Sequence, residues 1–541
     1  MSQRFPGRKL SLFRLTVVIA VVALLAGGAY VGLGRYNDAQ AASNDPAIFA
    51  GYVDVTATPT YAFEAPVSKA AKSVVLSFIV SAKNKPCEPS WGTAYSMTQA
   101  GSDLDLDRRM ARLVQQGGTV AVSFGGQAND ELATGCTDPD QLRDAYASVV
   151  DRYSLSTVDL DLEGAGLSDT AAMARRATAI AAVQAERLKA KKPLSVWLTL
   201  PVAPTGLTAE GQAAVTAMLA ARVDIAGVNA MTMDFGGSKP AGTTMLAASI
   251  DAANATHDQL AKLYKAQGQT LGSDTLWRKI GLTPMVGQND VAGEIFTLQD
   301  ANGLHSFAVS KGVGRISMWS LNRDATCGPN YPDVARVSDA CSGVDQGDQL
   351  FSQVLGQGLT TPLAAATTAA PQATARSTQV ADNPATSPYP IWSDLAVYVA
   401  GDQIVWHGNV YLAKWWTQGD VPDNPVATDG TTPWQLVGPV LPGDKPAPVV
   451  TVPAGTYPVW AQATVYLQGD RVMFDGRVFE AKWWTRDDSP AAALQGDPAS
   501  AWTMLTNAQV QQLLSGKPVP SAKPAASATA TPPRTATPAA K

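Results

Sequence analysis

Asp159, Asp161 and Glu163 recur at every second position of Val158-Asp-Leu-Asp-Leu-Glu-Gly164, with leucines between them. In an extended strand that spacing puts the three acids on one face and Leu160 and Leu162 on the other. Aspartate is depleted in strands and like charges on one face repel, so packing does not account for the pattern. Crowded carboxylates cannot all ionise, and one that keeps its proton at neutral pH suits a general acid, as in the cleavage of a glycosidic bond. The three histidines (His257, His305, His407) and four cysteines form no close cluster, so neither a metal nor another cofactor is expected.

Such acids need a frame that points them at one substrate. Strands are predicted at 50–56, 73–80, 119–124, 157–163, 194–200, 225–234, 279–286 and 315–321, and Ala-rich helical stretches such as 170–191 and 209–221 lie between them. Strands alternating with helices predict an α/β fold, a (β/α)8 TIM barrel over 48–357, with a doubly wound open sheet as the alternative. A barrel gathers its functional side chains at the C-terminal strand ends, where Glu163 is placed. Other strand ends fit the same mouth: Ser123-Phe-Gly125-Gly126 on the third, Met231-Thr-Met233-Asp234 on the sixth and Trp319 on the eighth. The two glycines would allow close approach of backbone or ligand, and Tyr52 and Asp54 on the first strand are further pocket candidates.

These motifs resemble those of the family 18 glycoside hydrolases, the chitinases and their relatives, which carry Asp-x-x-Asp-x-Asp-x-Glu on the fourth strand. Ser156-Thr-Val-Asp159-Leu-Asp161-Leu-Glu163 is similar at the last three acids and departs at Ser156. Ser123 to Gly126 resembles the family's Ser-x-Gly-Gly, and Trp319 its strand-eight tryptophan. Met233 stands where many members have tyrosine. The resemblance implies a retaining mechanism in which the substrate's own 2-acetamido group attacks C1. It makes Glu163 the general acid and base, Asp161 the partner of the acetamido N–H, and Asp159 a deeper acid sharing a proton or hydrogen bond with Asp161. Asp234 would orient the acetamido group and Trp319 floor the sugar subsite, with Met231, Met233, Gly125, Gly126 and Tyr52 as further substrate contacts. The short stretch 290–314 leaves room for an open, internally cutting cleft.

After the barrel the composition turns to Ala, Thr and Pro over 358–388, and again over 439–456 and 517–541, predicting two linkers and a disordered tail. Between them, Tyr389, Trp392, Tyr398, Ala413-Lys-Trp415-Trp416-Thr417 and Trp434 recur 68 residues later as Tyr457, Trp460, Tyr466, Ala481-Lys-Trp483-Trp484-Thr485 and Trp502. Two small all-β modules are therefore expected at 389–438 and 457–507. Adjacent strand residues face opposite ways, so one tryptophan of Trp415-Trp416 and one of Trp483-Trp484 is expected at the surface, where an indole stacks on a sugar. Trp434 and Trp502 read as core. The Ala-Lys-Trp-Trp-Thr pattern resembles the chitin-binding modules of carbohydrate-binding families 5 and 12.

The N-terminus adds a basic segment, 1–14, and an uncharged apolar run, 15–34, long enough to span a bilayer. Basic residues before the run place that end in the cytoplasm and the rest outside, with the helix either cleaved as a signal or retained as an anchor. Cys87, Cys136, Cys327 and Cys341 permit three pairings; short spacing favours Cys327 with Cys341, leaving Cys87 with Cys136, and export permits both bonds. With 41 basic and 46 acidic residues, no nucleic-acid partner is expected. The expectation is an exported monomeric chitinase acting on chitin or N-acetylglucosamine oligosaccharides. The alternatives are a chitin-binding lectin on the same fold and an endo-N-acetylglucosaminidase or peptidoglycan hydrolase.

Overall fold

The computed structural model describes residues 47–328, 336–359, 382–394, 396–423, 431–446, 450–494, 500–505 and 507–515. The segments expected at 1–14 and 15–34, most of the 358–388 linker and the 517–541 tail lie outside the described residues. The chain divides into two units, Met1–Gln372 and Ala373–Lys541.

The first unit is built on a parallel sheet whose strands succeed one another in sequence order: Gly51–Asp54, Ser73–Ala82, Thr119–Gly125, Thr157–Asp161, Ser195–Ala203, Ile225–Met231, Ile280–Thr283 and Arg315–Ile316. Ile48–Phe49 shares the first position with Gly51–Asp54. It pairs in parallel with Arg315–Ile316 while Gly51–Asp54 pairs with Ser73–Ala82, so the sheet closes into the eight-membered barrel. Because helices cover the outside and side chains fill the inside, a strand such as Ser73–Ala82 is buried on both faces and reads as a nearly continuous apolar run.

The covering helices begin where short polar side chains can satisfy free backbone N–H groups. Asp169 caps Thr170–Lys189, Thr208 caps Ala209–Ala220, Thr244 caps Met245–Ala266 and Thr297 caps Leu298–Lys311. Along Thr170–Lys189, Ala172, Met173, Arg176, Ala177, Ile180 and Val183 turn inward at helical spacing. Their stripe packs against outward-facing strand residues such as Leu160 and Leu198 in one continuous core.

Several features depart from the sequence expectation. The sixth strand ends at Met231 rather than 234 and the eighth at Ile316 rather than 321. The fourth strand stops at Asp161, and Glu163 becomes the N-cap residue of the short helix Gly164–Ser168. The seventh strand ends before Pro284, which has no N–H for a ladder, rather than reaching 286. An antiparallel hairpin, Lys85–Trp91 with Tyr95–Ser96, extends the second strand, and a Cys87–Cys136 disulfide ties it to the end of the helix Leu132–Gly135. A second disulfide joins Cys327 to Cys341.

In the second unit each repeat forms a three-stranded antiparallel sheet and a two-stranded ribbon. The sheet strands are Gln403–Trp406, Asn409–Ala413 and Trp434–Pro439 in one copy, and Arg471–Phe474, Arg477–Ala481 and Trp502–Met504 in the other. The hydrogen bonds repeat with the sequence. Trp434 Nε1 donates to the Asp420 carbonyl and Trp502 Nε1 to that of Asp488, both at 2.8 Å. A helix at Asn507–Leu514 lies beyond the expected end of the second copy: its Val510 joins Val452, Val478 and Leu505 in a small cluster, so residues on both sides of 457–507 belong to that copy's packing.

Opening a disulfide releases a loop that it had constrained in the unfolded chain. Replacing Cys87 and Cys136 by serine, which frees residues 49 apart, should cost the barrel about 2–4 kcal/mol. The same change at Cys327 and Cys341, 14 apart, should cost less. Guanidinium midpoints of the two double variants, measured against the parent, check both values.

Candidate functional site

The fourth strand carries its acids into the barrel. Asp159 is wholly buried and Asp161 nearly so, while Leu160 and Leu162 face the helices. Asp159 is surrounded by donors from four other strands. Its Oδ2 accepts from Tyr52 Oη and Ser123 Oγ, each at 2.8 Å. Its Oδ1 accepts from Thr199 Oγ1 at 2.8 Å and from Arg315 Nη1 at 2.9 Å. Asn229 Nδ2 in turn donates to Tyr52 Oη and Thr199 Oγ1. Arg315 is fully buried, with its Nε on Ser317 Oγ at 2.6 Å and its guanidinium within 6 Å of both the Tyr52 and Trp197 rings.

Nearer the mouth the chemistry changes. Asp161 and Glu163 share a hydrogen bond, and Asp161 Oδ1 is buried without any partner. Burial pushes the Asp161 carboxyl well above the usual carboxylate range, and the charges of Glu163 and Asp159 push the same way. Glu163, half-buried, is also raised by burial; the Asp161 hydrogen bond lowers it and the charge of Asp234 raises it. Both shifts favour the protonated form of the Asp161–Glu163 pair. Tyr52 is raised far above its ordinary value by burial and by Asp159, so its phenol stays a donor.

Asp234 follows the sixth strand with φ +47°. Its Oδ1 accepts from Val291 N at 3.0 Å and its own N–H donates to Asn289 Oδ1 at 3.2 Å. Glu294 holds the next turn, accepting from Phe235 N at 2.9 Å and Gly236 N at 3.1 Å. Burial raises the Asp234 carboxyl, and the charges of Asp290 and Glu294 add to the rise. Trp319, half-buried at the end of the eighth strand, stacks on Phe78 with ring centres 5.5 Å apart. Met231 and Met233 are half-buried at the end of the sixth.

Several sequence assignments change. Tyr52 is 1% exposed and lies beneath the pocket on Asp159, so it has no surface to offer a substrate. Gly125 and Gly126 make room for the protein itself. A Cβ at Gly125 would sit 2.1 Å from the Asp161 carbonyl oxygen and one at Gly126 2.9 Å from the Phe78 ring, and both residues have positive φ. Asp159 accepts four hydrogen bonds, from Tyr52, Ser123, Thr199 and Arg315, and Asp161 bonds to Glu163 where a proton or hydrogen bond with Asp159 was expected. Asp54 accepts from Thr56 and acts within its own turn.

Arg315 went unnoticed in the sequence although a signal was there: alternation in Arg315-Ile-Ser-Met-Trp319 places it on the Trp319 face, and a buried acid calls for a cation. Thr199 and Asn229 are polar residues inside apolar strands and carry the same kind of signal. Glu294 and Asn289 lie between strands and carry none.

In the modules all four surface candidates are exposed: Trp415 at 44%, Trp416 at 48%, Trp483 at 43% and Trp484 at 59%. The expectation of one per pair assumed strand alternation. Residues 414–416 and 482–484 instead form a bend between strands, which frees both rings. Lys414 Nζ lies 4.7 Å from the Trp415 ring centre and Lys482 Nζ the same distance from that of Trp483. Trp434 and Trp502 are core residues, at 2% and 1% exposure.

Comparison with known proteins follows the same division. Carbohydrate-binding module family 5/12 matches residues 391–435 and 459–503. A probable bifunctional chitinase/lysozyme of Escherichia coli is 36% identical over 261 residues, 47% of this chain and 28% of that protein. Endochitinase 11 of Metarhizium anisopliae is 34% identical over 255 residues, 46% of this chain and 47% of that protein. The matches thus span less than half the length of either relative. The crystal structure of the catalytic domain of a Pyrococcus furiosus chitinase aligns with 57% of this chain and 94% of its own, at 28% identity and a TM-score of 0.48. The chain is thus similar to chitinases over about half its length, and its two C-terminal repeats are carbohydrate-binding modules of family 5/12.

Proposed function

We propose that this chain is a chitinase that hydrolyses β-1,4 bonds between N-acetylglucosamine units, with retention, and is held on insoluble chitin by its two modules. The observation that carries this reading is the hydrogen-bonded pair Asp161 and Glu163 at the pocket floor, with Asp161 Oδ1 buried and unpartnered. Glu163 gives its proton to the glycosidic oxygen as the bond to C1 breaks. The 2-acetamido oxygen of the same sugar closes on C1, and the resulting positive charge faces the acidic floor. Asp161, hydrogen-bonded to Glu163, supplies the acceptor for the acetamido N–H. Water then adds to C1 as the bond from C1 to the acetamido oxygen breaks, restoring the acetamido group, and gives a proton to Glu163. Asp234 orients the acetamido group, and Trp319 floors the subsite as a flat apolar surface. Met231 and Met233 lie half-buried beside Asp234, and Met233 stands where many members of the resembled family have tyrosine.

The chitin named in the two relatives' descriptions supports this substrate, as do the modules, whose paired indoles suit stacking on sugar rings. Export belongs to the same reading, because two disulfides require an oxidising compartment and the basic-then-apolar start of the chain suits translocation.

Glu163→Gln should lower kcat on soluble chito-oligosaccharides by roughly a hundredfold or more with little change in KM. Equal activity of the variant and the parent would rule out the acid assigned here. Because Glu163 acts protonated and its carboxyl is raised, parent activity should fall on the basic side, at a higher pH than an unshifted carboxyl would give. Asp234→Asn removes a charge that raises Glu163, so the basic limb of kcat/KM should move to lower pH. Substituting alanine for Trp415, Trp416, Trp483 and Trp484 together should weaken pull-down on insoluble chitin about tenfold or more and leave soluble-oligomer cleavage within about twofold.

A further inference from the structure

Asp234 sits in the left-handed region, at φ +47°, where the chain leaves the sixth strand. A turn there has no ladder to hold it, so its direction depends on what its N–H groups meet. Phe235 returns to the right-handed region, at φ −64° and ψ −29°, and Gly236 is left-handed again at φ +53°. Such alternation points successive N–H groups into one concavity suited to an anion. The protein fills it with its own carboxyl: Glu294 accepts from Phe235 N on Oε2 at 2.9 Å and from Gly236 N on Oε1 at 3.1 Å, and is buried.

The loop that carries Glu294 grips Asp234 as well. It runs through the hairpin Gly287–Gln288 with Ile295–Phe296, after the seventh strand. Asn289, also buried, accepts from Asp234 N on Oδ1 and gives its amide N–H groups to the Met285 and Gly287 carbonyls at 2.9 and 3.2 Å. Val291 N donates to Asp234 Oδ1. Within the loop, Asn289 N donates to the Glu294 carbonyl at 2.9 Å and Glu294 N to that of Val291 at 3.0 Å. Its root holds the other mouth residue: Trp319 N donates to the Pro284 carbonyl and Val286 N to that of Trp319, each at 3.0 Å. Packing alone does not call for an acid at 294, because its charge acts against Asp234 and Lys239 Nζ, the cation paired with it, is 3.9 Å away. What a carboxyl supplies there is a fork of two acceptors matched to two adjacent N–H groups.

We propose that Glu294 is a positioning residue for the reaction: seated between the N–H groups of Phe235 and Gly236, it fixes the turn that aims the Asp234 carboxyl at the substrate's acetamido group. Glu294 itself touches no substrate. It acts on the step in which the acetamido oxygen closes on C1, by keeping that group aligned through Asp234. The inference rests on the orienting role given to Asp234 above.

The test uses the full chain as Glu294→Gln and Glu294→Ala. Gln keeps the shape and one acceptor and turns an NH2 toward one of the two backbone N–H groups, whereas Ala removes both acceptors. On soluble chito-oligosaccharides kcat should fall roughly threefold to tenfold in Glu294→Gln and roughly tenfold to a hundredfold in Glu294→Ala, with KM within about threefold in both. A cycle with Asp234→Ala separates positioning from packing: once Asp234 is gone, either change at Glu294 should lower kcat by less than about twofold. An equal fall in both backgrounds overturns the proposal, and so does parent kcat in Glu294→Ala. Should Glu294→Ala fail to fold, Glu294→Gln carries both comparisons. A further readout needs no substrate. The Phe235 and Gly236 amides should exchange hydrogen slowly in the parent and about tenfold or more faster in Glu294→Gln, with barrel-strand amides unchanged. Unaltered exchange at those two amides overturns the proposal whether or not the parent cleaves chito-oligosaccharides. Parent kcat in Asp234→Ala instead refutes the orienting role of Asp234, and with it the catalytic part of the proposal, even where exchange shows that Glu294 holds the turn.

Discussion

The Asp159 carboxylate, wholly enclosed by the barrel, is the constraint from which the rest of the site follows. An isolated ion in so dry a place would cost many kcal/mol, so the surrounding strands must supply donors and a counter-charge. They do so one side chain each: Tyr52, Ser123, Thr199 and Arg315 bond to it, and Asn229 bonds to two of those. This explains the polar side chains inside these strands, whose outer faces form an apolar core with the helices. It also ties the closure of the barrel to the chemistry, because the cation sits on the strand that pairs with the first.

Above that anchored charge, the same low dielectric works on groups that have no such partners. Asp161 is pushed toward its protonated form by burial first and by the charges of Glu163 and Asp159 second, and Glu163 by burial first and by the charge of Asp234, against the lowering effect of its hydrogen bond with Asp161. The two levels of one strand thus divide into an acid held by four donors below and a pair of raised carboxyls above. Glu163 gains its own freedom from leaving the strand: as the residue that opens the helix Gly164–Ser168, it is half-buried and can meet solvent or substrate, which a strand interior position would not permit.

The modules solve a different problem with the same residue type. Each has too little chain for a large core, so Trp434 and Trp502 fill the interior and anchor a turn through their indole N–H groups. The adjacent tryptophans are spared for the surface by a bend. Two such surfaces on one chain raise the effective concentration of each at a polymer face, so modest individual affinities suffice.

Much of this was legible in the chain itself. Alternation of acids and leucines gave the facing of Asp159, Asp161 and Leu160, the succession of strands and helices gave the eight-stranded barrel, and the 68-residue offset gave the two modules. These signals are local or periodic, and backbone geometry alone converts them into direction. Tertiary structure decided what depends on which residues meet. Arg315 and Asp159 are 156 positions apart and join only because the sheet closes. Tyr52 and the two glycines exchanged expected substrate contacts for roles inside the protein once their neighbours were in place, and both tryptophans of each module pair reached the surface because the strand stopped two positions before them. Periodicity fixes where a side chain points; what waits there is set by chain closure, and no single stretch contains it.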